Sequence, residues 1–301
     1  MDSVSGDQIP PRFLDYEGSD YRTSFWEHGR REYEDLVERV ALRKLLPPSS
    51  KRILDIGAGF GRLTDLYKHY DRVYLLDYSR SLLEEARSRL GTGRFTYVIA
   101  SLYEMPFAEN AFDTVVMVRV LHHQSDVPAA LRSIETVVGP GGTFVLEYAN
   151  KRHLKAILRY LLRHGPSPFS REPLEFAPLH FDFHPAYVEA EMDKAGFSIQ
   201  RRLAVSTFRV GALKRFVPAR VLAALDGLLQ GPTAGLQLSP SIFLQAKAQK
   251  SGSGLACDPI FRCPLCRSIH LHLKENYLEC GGCNRRWAAQ DSLFDFKTPL
   301  D

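Results

Sequence analysis

A chain of 301 residues, 45% hydrophobic and 25% charged, is long and apolar enough for one α/β domain of enzyme size plus a small appendage, and is not a disordered chain. Its formal net charge of +4 is too mild to establish a nucleic-acid partner. No apolar run approaches the roughly 18–20 residues that cross a bilayer, and the polar start MDSVSGDQIPPRFLDYEG lacks the apolar core of a secretory signal, so a cytoplasmic protein is expected.

Residues 1–20 are rich in turn formers and read as an arm. From Tyr21 to Leu46 the pattern is helical, with Leu36, Val37, Val40, Ala41, Leu45 and Leu46 on one side, and Pro47 and Pro48 stop it. Short apolar runs follow at 52–56, 73–76, 96–99, 114–118 and 143–146. Helix-like stretches at 63–70, 81–90 and 127–138 separate them. This alternation predicts a mostly parallel sheet with helices on both faces. Further on, 187–195 reads as a helix ending at Gly196, and 197–209 and 241–248 read as late strands. The Gly/Ser-bearing segment QKSGSGLACDP at 249–259 reads as a linker.

The most informative stretch is KRILDIGAGFGRLTDL, an apolar strand ending at Asp55 and turning through Gly57, Ala58, Gly59, Phe60 and Gly61. Glycines permit a tight turn and let the backbone approach a ligand with no Cβ between. Asp77 lies twenty positions after Gly57, directly after the second apolar run, where a carboxylate can accept hydrogen bonds from ribose hydroxyls. A nicotinamide fingerprint would need glycine where Arg62 stands, and a P-loop is absent.

The remaining pattern, Asp-x-Gly-x-Gly-x-Gly with Asp77, resembles class I S-adenosylmethionine (SAM) dependent methyltransferases. MPFAENAFDTVVMVRVLHH and VVGPGGTFVLEY are similar to later segments of that family, over residues about 50–150. The "type 11" branch, which includes quinone C-methyltransferases, is the group it resembles most. The resemblance implies a seven-stranded, mostly parallel Rossmann-like sheet in the order 3-2-1-4-5-7-6, with the seventh strand antiparallel. It implies that Asp55, Gly57, Ala58, Gly59 and Gly61 border the cofactor and that Asp77 holds its ribose, with Tyr78 beside it. Ser101 and Leu102 would meet the adenine and Arg119 the methionine end. The family commonly has Asp where this chain has Ser101, which weakens or reroutes one adenine contact.

Methyl transfer from a sulfonium is an in-line displacement that asks mainly for alignment and exclusion of water. A base is needed only when the acceptor must lose a proton. His122, His123 and Tyr21 are the candidates for that base, and the His pair is equally read as a structural part of the loop. Tyr21, Arg30 and Tyr33 fall in a region that lids the cofactor in the resembling family. Trp26 reads as a core anchor, and Arg62 as a partner of the cofactor carboxylate or a cap of its own helix.

After the fifth strand, KRHLKAILRYLLRHGPSPFSREP places Leu154, Ile157, Leu158, Leu161 and Leu162 on one helical face and Lys151, Arg152, Lys155, Arg159 and Arg163 on the other. Three readings stay open for 151–164: a lid helix with a solvated basic face, a membrane-surface helix, or a dock for an anionic acceptor. Lys214, Arg215 and Arg220 would extend that surface. His180, Asp182 and His184 alternate as a strand-borne metal trio would, although LHFDFHP also reads as the approach to a helix that His184 precedes.

Cys263-x-x-Cys266 and Cys280-x-x-Cys283, thirteen residues apart, have the pattern of a structural zinc site with all four positions filled. Cys257 falls outside it as a free linker thiol. Residues about 260–298, ending RRWAAQDSLFDFK, resemble the small zinc-ribbon activators that pair with tRNA, ribosomal and release-factor methyltransferases.

The expected organisation is a methyltransferase domain at 1–249, with a lid helix at 21–46 and an acceptor-side insert at 151–185. A linker at 250–259 and a zinc ribbon at 260–301 complete it. The expected activity is SAM-dependent methyl transfer to a small-molecule acceptor. The alternatives are methylation of RNA or a translation protein, and an inactive SAM-binding scaffold.

Overall fold

The structure, a computed structural model, describes residues 12–19, 26, 31–252, 255 and 260–301. Of the expected site and linker residues, Tyr21, Arg30 and Cys257 lie outside these. Helix α1 (Glu32–Leu45), which starts after the non-helical Arg31, carries acids in its first turn and Arg43 and Lys44 in its last, which complements the helix dipole. It buries Val37, Ala41, Leu42 and Leu45 at helical spacing.

Five parallel strands follow: β1 (Ser50–Ile56), β2 (Tyr70–Asp77), β3 (Phe95–Ile99), β4 (Phe112–Met117) and β5 (Val138–Ala149). Their spatial order is β3-β2-β1-β4-β5. Helix α2 (Arg80–Leu90) lies between β2 and β3, and α3 (Val127–Val137) between β4 and β5. Ser79 and Asp126 cap these helices, each accepting a backbone N–H three residues on. Beyond β5 come α4 (Leu154–Leu161), the hairpin β6 (Leu174–Ala177) and β7 (His180–Asp182), and α5 (Pro185–Lys194). Strand β8 (Phe197–Val205), α6 (Gly211–Phe216), α7 (Ala219–Leu229) and β9 (Ser241–Ala248) follow. Strand β9 inserts antiparallel between β5 and β8, so these seven strands have the expected order.

Side chains alternate between two cores. Leu54, Ile56, Val115 and Met117 pack with α3 and α5 on one face, and Ile53, Val116 and Val118 pack with α1, α2 and α7 on the other. Central strands buried on both faces read as continuous apolar runs, which is why they were visible in the sequence.

Three expectations are corrected. The sheet has eleven strands rather than seven, because β10 (Leu271–Leu273), β11 (Tyr277–Cys280), β12 (Arg286–Gln290) and β13 (Leu293–Asp295) extend it. The C-terminal segment therefore does not form a sheet of its own: β13 pairs in parallel with β3 at Leu293↔Tyr97, Phe294↔Val98 and Asp295↔Ile99. The helix expected at 63–70 is a single 3-10 turn, Thr64–Tyr67. Arg89 takes the carbonyls of Phe60 and Gly61, and Arg94 those of Tyr67, Lys68 and Tyr70, so side chains satisfy oxygens that a longer helix would bond internally. The strand expected at 197–209 stops at Val205, where Ser206 turns left-handed at φ +68 and the Thr207 N–H goes to Asp226 Oδ2.

The docked segment shares its core with the sheet. Trp287, Phe296, Leu278 and Ile260 belong to the same buried cluster as Leu54 and Val115. Phe261 stacks on Phe107 with centroids 5.7 Å apart, and Ala108 N–H donates to the Ile260 carbonyl. An edge strand with unpaired N–H and C=O groups is thereby covered.

Candidate functional site: a glycine-lined cavity and a cysteine quartet

At the carboxyl ends of β1, β2 and β4 the glycine turn opens a cavity, part of it open to solvent. Gly57, Gly59 and Gly61 have φ of +69, +52 and +74, a region that glycine enters without strain. At Gly57 a Cβ would also fall 2.1 Å from Val120 Cγ2. The N–H groups of Gly57 and Ala58 both bond the Leu76 carbonyl, which pins the turn to β2.

Gly57, Gly59, Asp77 and Tyr78 line the cavity with Leu102, Val118 and Arg119. Asp77 accepts the Gly59 N–H at 2.7 Å on one oxygen and the Ser79 N–H at 2.9 Å on the other. Each carboxylate oxygen keeps a lone pair for a further donor. Burial raises the Asp77 pKa, and those backbone N–H groups oppose the shift. Ser101 does not line the cavity. It caps the 3-10 turn Leu102–Glu104 through the Tyr103 N–H, while its neighbours Ala100 and Leu102 face the space.

A second hollow meets the first at Gly57, Gly59, Val118 and Arg119 and is walled by Trp26, Asp55, Ala58 and Arg62. Arg119 has φ +60 and gives its N–H to Glu147 Oε2 at 2.8 Å. Its Nε donates to Glu38 Oε1 at 2.7 Å. Glu38 also receives Arg62 Nη2 at 2.7 Å, and this doubly paired carboxylate is 1% exposed. Burial opposes its ionisation, but the two guanidiniums hold its pKa below the usual value. Arg62 lies 3.9 Å from the Trp26 ring centroid, so Trp26 faces the hollow as a cation–π partner, and its Nε1 has no hydrogen-bond partner among the described residues. Asp55 lies beneath the turn, bonded by the Tyr67 hydroxyl at 2.9 Å, and burial raises its pKa to about 7.

His123 Nδ1 is 3.1 Å from the Leu179 carbonyl, which can only accept, so that nitrogen carries the proton. Its Nε2 then accepts from the Tyr16 hydroxyl at 3.0 Å, and both residues line the cavity. Burial pushes the His123 pKa down to about 4, keeping the imidazole neutral at pH 7. His122 is not in the cavity lining. Its ring lies 3.9 Å from that of His123, its Nδ1 is buried without a partner, and burial takes its pKa well below the ordinary value.

The arm at 12–19 covers one side of the cavity, which the turn-rich sequence did not reveal. Phe13 packs edge-on against Tyr78 at 4.7 Å and bridges to Gln124, while Glu17 receives the Ser81 N–H. The two aromatics Phe13 and Tyr16 in an otherwise polar arm were the available signal.

His180, Asp182 and His184 do not assemble as ligands. His184 caps α5 through the Ala186 N–H, and the group of described residues that could hold a metal is the cysteine quartet. The four sulfurs of Cys263, Cys266, Cys280 and Cys283 lie within 4.8 Å of one another. Cys263–Cys283 is 3.7 Å and Cys266–Cys280 is 3.4 Å. Thiolates about 2.3 Å from a shared tetrahedral zinc would lie about 3.8 Å apart, so the donor set fits. The two knuckles match each other: Arg267 and Asn284, each following its second cysteine, have φ +63 and +59.

Strand order, glycine turn and the carboxylate at the end of β2 together give the α/β fold seen in solved methyltransferase structures. Residues 54–146 match the family described as "Methyltransferase domain". The Shewanella sp. (strain ANA-3) protein named ubiquinone/menaquinone biosynthesis C-methyltransferase UbiE is 34% identical over 111 residues, covering 34% of this chain and 44% of that protein. The chain thus spans under half the length of the curated relatives it matches. Among solved structures, a SAM-dependent methyltransferase from Listeria monocytogenes superposes with TM-score 0.53 at 15% identity, covering 72% of this chain and 99% of that one. A chain from the complex of the Haloferax volcanii Trm112 methyltransferase activator with a methyltransferase gives TM-score 0.52 at 15% identity, covering 77% and 95%.

Proposed function

We propose that the protein is a cytoplasmic SAM-dependent methyltransferase acting on a small-molecule acceptor. The observation that carries this reading is the pair of joined hollows around Gly57 and Gly59, with Asp77 in one and Arg62, Arg119 and Trp26 walling the other. In this reading Asp77 takes the ribose hydroxyls, with Tyr78, Leu102 and the Ser101 backbone region beside the adenosyl group. Asp55, Ala58 and Gly61 shape the turn, and Arg119 and Arg62 offer positive charge to the amino-acid end. When bound, SAM supplies a methyl group on a positively charged sulfur.

The chain's task is then to hold the acceptor in line and keep water out, to which the arm carrying Phe13 and Tyr16 contributes by covering one side of the cavity. The neutral His123, with Tyr16 hydrogen-bonded to its free nitrogen, can draw a proton from an acceptor hydroxyl through the tyrosine. His122, its ring tilted against that of His123, positions it. Tyr21 keeps its sequence-based candidacy as a base.

We infer further that residues 260–301 form a ribbon holding a structural zinc, joined by 250–259 to a methyltransferase domain at 1–249. Four filled thiolate positions leave no site for substrate, so the metal would supply stability. The cysteine quartet and the basic insert motivate a second reading, methylation of RNA or a translation protein. Incubation with methyl-labelled SAM separates the readings. Label entering phenolic or quinol acceptors, and lost in Tyr16→Phe and His123→Ala, supports the first. Label entering only RNA or protein supports the second, and none anywhere supports an inactive scaffold.

A further inference from the structure

Helix α4, which leaves the carboxyl end of β5 beside the cavity, buries none of its residues. Leu154 and Leu158 are about half exposed, and Leu161 and Leu162 are 67% and 69% exposed. The apolar face continues onto neighbouring chain: the Leu154 N–H bonds the Leu238 carbonyl, Arg152 bonds that of Leu236, and Leu236 is itself exposed. Such a face is anomalous on a surface helix, whose leucines ordinarily turn inward.

Its charge is one-sided. From Lys151 to Arg171 there are six Lys and Arg residues and no Asp or Glu. Among the described residues Lys155, Arg159 and Arg163 form no ion pair with a carboxylate. Arg209, from the loop after β8, is paired with Glu34 at 3.6 Å and, with Arg159, faces Asp182, yet with Arg159 and Lys155 it still lowers the pKa of His153, the α4 cap, beyond the larger effect of burial. The base of the segment is nonetheless anchored, with Asn150 donating to the Gln237 and Ser239 carbonyls and Lys151 N–H to Phe183. An anchored helix thus presents exposed leucines beside Lys155, Arg159 and Arg163.

We propose that this face docks on an anionic lipid bilayer, with α4 lying in the interface. Exposed leucines enter the acyl boundary, and Lys155, Arg159 and Arg163 meet the headgroup phosphates. A protein partner of equal fit would need a matching acidic, leucine-accepting groove, whereas an anionic membrane supplies both properties without shape matching. No helix among the described residues is long and apolar enough to cross a membrane, so the contact is peripheral. It follows the carboxyl end of β5, the end of the sheet at which the cavity lies, which would let a lipid-soluble acceptor enter from the bilayer. The docking itself does not depend on the proposed methyl transfer.

The test is co-sedimentation of the full-length, zinc-replete protein with phosphatidylcholine vesicles, with and without phosphatidylglycerol. The expected result is binding to the anionic vesicles that weakens with salt. Arg159→Ala and Arg163→Ala should each lower partition about fivefold. Leu158→Glu with Leu161→Glu should abolish it. Both leucines are outside the core, so the circular dichroism and SAM titration of that variant should match wild type. Absence of wild-type binding, or equal binding by the leucine variant, would overturn the proposal. So would a dimer that the leucine variant dissolves without any vesicle binding, because the face would then be a self-association surface.

Discussion

Lys297, two residues beyond the end of β13, holds its Nζ 3.7 Å from the centroid of the Tyr78 ring, on the rim of the cavity next to Asp77. The same ammonium is 3.4 Å from Asp15 in the covering arm. The cysteine-bearing segment therefore touches both the floor and the lid of the proposed cofactor site. A cation–π contact at a part-buried site contributes about 1 kcal/mol. Lys297→Ala should weaken SAM binding about fivefold by titration, and unchanged affinity would show that the contact does not shape the site.

Removing the metal proposed for the quartet should reach further. Without it, the packing of Trp287 on Phe296 and the cover on β3 lose their support. A chelator should red-shift the emission of Trp287, which is 1% exposed, before the catalytic sheet unfolds. Emission unchanged after verified metal loss would mean that the ribbon stands without it.

Gly57 is confined twice, by its left-handed backbone and by Val120 against its Hα. Gly57→Ala should cost about 1–3 kcal/mol in urea unfolding and abolish most SAM binding. Adding Val120→Ala should restore the part due to the clash and leave the part due to φ. Full recovery in the double variant would mean that the backbone conformation is unstrained.

The Glu38 carboxylate, buried between Arg62 and Arg119, ties α1 to the end of the glycine turn and to the loop after β4. Removing one member of a buried pair leaves uncompensated charge, and Glu38→Ala should destabilise by about 3–5 kcal/mol. A loss below about 1 kcal/mol in chemical denaturation would indicate that the arginines find other partners.

Asp55 gives a pH signature of defined sign. Between its ordinary value of 3.8 and its folded value of about 7, the folded chain keeps a proton that the unfolded chain has released. Its contribution to stability therefore falls as pH rises toward and through 7. Asp55→Asn keeps an acceptor for Tyr67 and removes that titration. Relative to wild type, it should gain on the order of 2 kcal/mol in going from about pH 5 to about pH 8. A difference that does not change with pH would contradict this assignment.

The central sheet was legible because strands buried on both faces and a glycine turn leave local marks in sequence. The Asp55, Gly57, Asp77 and Cys263 positions carried such marks. Ribbon docking did not: the pairing of Leu293–Asp295 with Tyr97–Ile99 joins segments almost two hundred residues apart and uses backbone bonds that any side chain permits. The shortened turn after Gly61 was hidden for a similar reason, since its carbonyls are claimed by Arg89 and Arg94 from another element. Tyr16 escaped notice because its partner, His123, lies 107 positions away.

The most direct test of the account is isothermal titration of the zinc-replete protein with SAM and S-adenosylhomocysteine, beside Asp77→Ala. The account predicts saturable binding of both by wild type and at least tenfold weaker binding by the variant. No binding of either compound to the folded wild-type protein, or equal affinity in the variant, would contradict the central claim that the Gly57–Asp77 cavity is a SAM site.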